Sequence, residues 1–139
     1  DYAVRAESRQ LQVGAAQTAG MSAEEFKTRI CSRLPSPSAC DNLTVDVRVV
    51  DVWANWLSIT KRFGDNTDRR LASIGANSEF CLPTDNRIVI VRTFLKVPVL
   101  SGFWLVSDPE GNGNRGVSAN HMFRVEPFGA TTTSTTGCL

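Results

Sequence analysis

Histidine occurs once in this chain, at His121, and none of the four cysteines belongs to a C-x-x-C pair. Those two scarcities argue against a zinc knuckle, which needs closely spaced Cys/His ligands, and against a dithiol redox centre at a helix start. Charge of one sign is equally scarce: 15 basic residues stand against 14 acidic ones, for a net charge of +1. No electrostatic footprint for nucleic acid or an anionic membrane surface is present. The sequence also has no G-x-S-x-G or H-E-x-x-H, no signal peptide, and no apolar run of about 20 residues of the kind that spans a bilayer. Catalysis is disfavoured on these grounds, and no cofactor is expected.

What is present begins with four widely separated cysteines, Cys31, Cys40, Cys81 and Cys138. An even number at such spacings reads as two disulfides and places the folded chain in an oxidising compartment. Its 139 residues suit one domain, and at this length about 68% of the unfolded surface can be buried on folding. The chain opens on "DYAVRAESRQ", a helical sequence without a capping pattern, from which an upstream targeting or anchoring segment is expected.

Residues 1–19 are rich in Ala, Gln, Arg and Leu and close at Gly20, so one helix is expected there. At about 100° per residue, Val4, Leu11 and Ala15 form one apolar stripe, while Tyr2, Ala6 and Val13 form another on nearly the opposite side. The first stripe suits the domain's own sheet; the second either meets a partner subunit's helix, with Ala3, Ala6 and Gly14 allowing close approach, or is a set of scattered exposed apolar residues of the kind common on protein surfaces. A second helix starts at Ser22, which forms a capping box with Glu25 between the staple residues Met21 and Phe26. Phe26, Ile30 and Leu34 make its apolar face, and Pro35 ends it.

From Leu43 the period becomes alternating, with Leu43, Val45, Val47 and Val49 facing one way and Thr44, Asp46 and Arg48 the other, as in a half-buried strand. Residues 54–85 read as irregular and polar, with Trp53, Trp56 and Phe63 available to the core and the run from Lys61 to Arg70 as a solvated loop. "RIVIVRTFLKVPVL" reads as a central strand with a bend or edge at Pro98. "GVSANHMFRVEPF" reads as the last strand, with Val117, Ala119, His121, Phe123 and Val125 on one face. The order favours an α+β domain in which helices pack on one side of an antiparallel sheet.

Several motifs resolve into turns. "GNGNRG" at 111–116 matches G-x-G-x-x-G, but a strand-like sequence follows where a phosphate loop requires a helix, so a hairpin turn is expected. Asp108, Glu110, Asn112 and Gly113 fit the start of a calcium loop, yet its twelfth position is Ala119 rather than a glutamate. Asn42 in "DNLT" is formally a glycosylation acceptor and is read as a turn residue. His121 falls on the apolar face of its strand and is read as a core residue. The tail "GATTTSTTGCL" is of low complexity, and Cys138 would tie it to the body.

The stretches "MSAEEFKTRICSRL", "SPSACDNLTVDVRV", "NRIVIVRTFLKVPVL" and "NHMFRVEPF" resemble TadE-like minor pilins of the bacterial tight-adherence (Tad/Flp) pilus system, over most of the chain outside residues 54–80. The resemblance implies a pilin-like, disulfide-stabilised fold. It also implies an inner-membrane protein whose soluble domain lies in the periplasm until it is incorporated into, or helps to initiate, the extracellular pilus. The implied role is assembly of the fibre, at initiation or at the tip, for adhesion and biofilm formation. The implied partners are other minor pilins (TadF-like), the major Flp pilin and the inner-membrane assembly platform. A secreted, disulfide-stabilised binding module, such as an adhesin or inhibitor domain, is the alternative, and a hydrolase using His121 a weaker third.

The cysteine pairing expected is Cys31 with Cys40, across a loop pre-bent by Pro35 and Pro37, which contributes on the order of 3 kcal/mol. Cys81 with Cys138 follows by elimination among three pairings.

Overall fold

The structure, a computed structural model, describes residues 1–35, 37–50, 78–98 and 114–129. Their elements are α1 (Tyr2–Gln12), α2 (Ala15–Thr18), α3 (Ala23–Ser32), a 3-10 helix (Pro37–Asn42), β1 (Leu43–Val50), β2 (Ile88–Pro98) and β3 (Asn114–Arg124). The strands form an antiparallel sheet in the order β1-β2-β3. The expected α+β layering is therefore present, with "RIVIVRTFLKVPVL" supplying the central strand.

The opening helix differs from the expectation of one continuous element. Gly14 adopts φ +78° and separates α1 from α2, a left-handed conformation that glycine enters without a Cβ penalty. The break also shifts the helical phase. Val4 and Leu11 are buried as expected, but Ala15 is exposed and Ala16 takes the buried position. Ala3 and Gly14, assigned above to partner contact, are buried within the fold.

The start of α3 follows its sequence signature. Ser22 Oγ accepts from the Glu25 backbone N–H at 3.2 Å, and the Ser22 N–H donates to Glu25 Oε2 at 3.0 Å. Two backbone donors at the helix start are thus satisfied reciprocally. Met21, Phe26 and Ile30 are buried. The Arg33 and Leu34 N–H groups donate to the Ile30 and Cys31 carbonyls, a tightened last turn that closes the helix before Pro35.

One face of the sheet carries the core. Val47, Val91 and His121 lie side by side in one row across the strands, and Val49, Val89 and Phe123 in the next. Phe26, Leu11 and Ile30 are fully buried in the same apolar cluster as Val47, Val89 and Val91. Each such side chain contributes about 1.5–3 kcal/mol of transfer free energy. Between the helices, Arg33 Nε donates to Glu7 Oε1 at 2.6 Å; the Glu7 side chain is only 4% exposed.

The strand β1 is less one-sided than its alternation implies. Asp46, on the other face, is 5% exposed. Its carboxylate turns to the strand's outer edge, where Oδ1 accepts the Glu79 N–H at 2.9 Å and both oxygens accept from Arg48 Nε at 3.0 Å. The Val47 N–H donates to the Glu79 carbonyl and the Cys81 N–H to the Val47 carbonyl, so that Phe80 forms a parallel bridge with Val47. The Phe80 ring packs on Phe26 at a centroid distance of 5.5 Å. Residues 79–81, read above as irregular, therefore extend the edge of the sheet.

The segment after β3 is strapped down at several points. The Val125 N–H donates to the Arg87 carbonyl, and the Glu126 N–H to the Gln12 carbonyl at the end of α1. The Asp85 carboxylate accepts the backbone N–H groups of Phe128 and Gly129. Of "GNGNRG", Asn114, Arg115 and Gly116 belong to β3 rather than to a turn. Residues 111–113, the calcium-loop positions Asp108, Glu110, Asn112 and Gly113, the Lys61–Arg70 run, Trp53, Trp56, Phe63 and the tail from residue 130 lie outside the described residues.

Candidate interaction surfaces

Cys31 and Cys40 form a disulfide, joining the last turn of α3 to the 3-10 helix before β1. Cys81 is buried and also disulfide-bonded; Cys138, its expected partner, lies outside the described residues. The expected partner-facing set divides by exposure. Tyr2 is 76% exposed, whereas Ala6 and Val13 are half-buried.

His121 sits on the helix-facing side of β3, its ring centroid 5.3 Å from that of Phe123. Burial lowers its pKa, and the positive charge of Arg5 on α1 lowers it further. Nδ1 is buried, and among the described residues it has no hydrogen-bond partner. A general base needs a positioned proton donor and commonly an orienting carboxylate, and the described residues bring neither to this ring. They also contain no group of three His, Cys, Asp or Glu side chains placed to hold a metal ion.

On the sheet face away from the helices, Arg92 stands directly across from Asp46, with Arg48 two residues further along β1. Burial pushes the Arg92 pKa down; Asp46 opposes that shift and Arg48 adds to it. A guanidinium does not lose its proton in a protein, so the shift marks a crowded, partly desolvated cation. Its planar end lies 5.6 Å from the Phe94 ring centroid, within cation–π range. The Asp46–Arg48–Glu79 contacts make this cluster a clamp on the β1 edge.

The opposite edge of the sheet is different. Antiparallel residues alternate between pairs that exchange main-chain hydrogen bonds with the neighbouring strand and pairs that do not. The Val125 N–H reaches the Arg87 carbonyl, and the β2–β3 register runs without interruption from Ile88↔Arg124 to Pro98↔Asn114. Odd-numbered residues of β3 therefore bond to β2, and even-numbered ones direct their N–H and C=O groups outward. Two independent contacts agree with this parity: the Glu126 N–H points away from β2 to Gln12, and Val47, odd in β1, uses its main chain away from β2. Gly116, Ser118, Asn120, Met122 and Arg124 thus line an edge that no other strand pairs with among the described residues.

Sequence reasoning named neither edge. Alternation assigns residues to faces, and main-chain direction becomes visible only once the register is known. The Asp46 anchor carried one faint signal, an acidic residue inside a valine-rich strand, but its partner Glu79 is remote in sequence.

Comparison with protein-family models, with curated proteins and with solved structures returns no match for this chain.

Proposed function

We propose that this chain is the soluble domain of a TadE-like minor pilin or pseudopilin that acts in assembling Tad/Flp pili, as a structural protein rather than an enzyme. The observation that carries the reading is the layering of the fold. The α1 helix packs on one face of an antiparallel sheet together with α3, the layout implied by the sequence resemblance. The Cys31–Cys40 disulfide supports an oxidising compartment, in keeping with a periplasmic domain.

In this reading the partners are other minor pilins (TadF-like), the major Flp pilin and the inner-membrane assembly platform, and Tyr2 on α1 is the residue most available to them. No described helix is long and apolar enough to cross a membrane; the membrane anchor implied by the resemblance would be encoded upstream. Deleting the gene is expected to reduce pilus number and surface attachment while leaving growth intact. A deletion strain with wild-type pili and attachment would remove the reading.

A second reading, a secreted binding module, draws on the outward-facing main chain of β3. The gene upstream distinguishes the two: an apolar segment of about 20 residues retained in the mature protein supports the pilin. A signal peptide cleaved immediately before Asp1 supports the module.

A further inference from the structure

We propose that the outer edge of β3 is a self-association surface, on which a second copy of this chain pairs its own β3 antiparallel to continue the sheet. This inference is independent of the pilin reading, since it concerns only copies of this chain. Natural sheets protect an edge with proline, inward-pointing charge, a bulge or a short strand. β3 is long and regular: it spans 11 residues from Asn114 to Arg124, its register with β2 contains no bulge, and its sequence has no proline, lysine or acidic residue, with Arg115 and Arg124 near its two ends as its formal charges. Its outward row of alternating donors and acceptors is complementary to an extended polypeptide rather than to a small ligand or a helix.

The sequence of the strand selects a second copy as that polypeptide. In a two-fold antiparallel pair every contact occurs twice, so a strand with clustered charge repels itself. With Asn114–Arg124 fully overlapped, Ala119 falls on the axis, Ser118 lies opposite Asn120, and Gly116 opposite Met122. The charged Arg124 meets Asn114, so no like charges face each other. Val117 and Met122, 50% and 60% exposed, would both be covered. The parity also brings the outward even-numbered residues of both copies together as hydrogen-bonded pairs, as a continuous ladder requires. At the far end the pairing stops where Gln12 already occupies the Glu126 N–H.

The test uses the purified 139-residue chain with its disulfides intact. Sedimentation equilibrium from about 1 to about 100 µM is expected to show a monomer–dimer equilibrium. Amide hydrogen exchange supplies the signature: the N–H groups of Val117, Ala119, His121 and Phe123 are protected at all concentrations. Those of Ser118, Asn120 and Met122 become protected only as the dimer forms. Ser118→Pro removes an outward N–H without touching a β2–β3 bond, and is expected to give a folded monomer. If that variant unfolds, the exposed-site double variant Val117→Lys/Met122→Lys serves instead, and should weaken dimerisation at least tenfold. A chain that stays monomeric with Ser118, Asn120 and Met122 amides exchanging freely overturns the proposal. So does protection of those amides at every concentration in a monomer, which would mean that another segment of the same chain covers the edge.

Discussion

The ring of Phe128 lies directly over Gly14 and fills the place that a Cβ on that glycine would take. Two constraints therefore coincide at one residue, a left-handed backbone and a missing side chain. The contact joins the α1–α2 break to the segment that follows β3, which Asp85 holds through the Phe128 and Gly129 amides. Gly14→Ala is expected to destabilise the chain by about 2–4 kcal/mol, combining positive-φ strain with overpacking. In a background of Phe128→Ala the steric part disappears, so the two substitutions should be non-additive in chemical denaturation. Strictly additive values would show that the ring does not confine position 14.

Asp46 is the residue on which the β1 edge depends. Asp46→Ala removes the acceptor of the Glu79 N–H and the nearer counter-charge of Arg48, which keeps its ion pair with Glu79, and is expected to cost about 2–4 kcal/mol. Asp46→Asn keeps an oxygen for the Glu79 N–H and should cost about 1–2 kcal/mol less. Thermal melts of the two variants give the ranking, and equal losses would mean that charge rather than the edge contact matters at this site.

These two sites show what the sequence could and could not reveal. The capping box at Ser22 and Glu25, the closure of α3 before Pro35 and the alternation of β1 rest on contacts between residues a few positions apart, so they were legible. The confinement of Gly14 was not, because the ring that fills the space beside it, Phe128, is more than a hundred residues away. The same holds for Asp46, whose environment comes from Glu79. The candidate surfaces were legible only in part: Tyr2 is exposed as a partner-facing residue must be, whereas the open edge of β3 depends on hydrogen-bond parity, which no pattern of side chains encodes.

His121 gives a pH dependence with a definite sign. Its folded-state pKa lies below the ordinary value of 6.5, chiefly through burial and then through Arg5. Between that lowered pKa and 6.5 the unfolded chain binds more protons than the folded one, so stability falls as pH drops through this window. His121→Gln should melt with a shallower dependence between pH 7 and pH 5. Identical slopes for the two proteins would show that the ring titrates alike in both states.

The Cys31–Cys40 bond closes a short loop, with a sequence separation of 9, between α3 and β1. In the chain-entropy account, removing it should cost about 2.5–3 kcal/mol. Cys31→Ser/Cys40→Ser is the informative variant, because a reductant would also open the bond at Cys81. The double-serine protein should unfold at lower denaturant with an m-value equal to or slightly above the parent's, because its unfolded chain has lost a crosslink. An unaltered midpoint would mean that the core around Phe26 and Phe80 already fixes this loop.

The two sides of α1 separate stability from partner binding. Leu11 is fully buried in the core, and Tyr2 is the most exposed large apolar residue among the described residues. Leu11→Ala removes buried methyl groups and leaves a cavity, for an expected loss of about 2–5 kcal/mol. Tyr2 is largely exposed, so the stability of Tyr2→Glu should match the parent's within the roughly 0.5 kcal/mol scatter of surface substitutions. In the anchored protein, under the pilin reading, Tyr2→Glu should lower co-purification with a second minor pilin. Leu11→Ala should lower total protein without changing the partner bound per molecule recovered. Wild-type co-purification of Tyr2→Glu would remove α1 from the partner interface while leaving the fold as described.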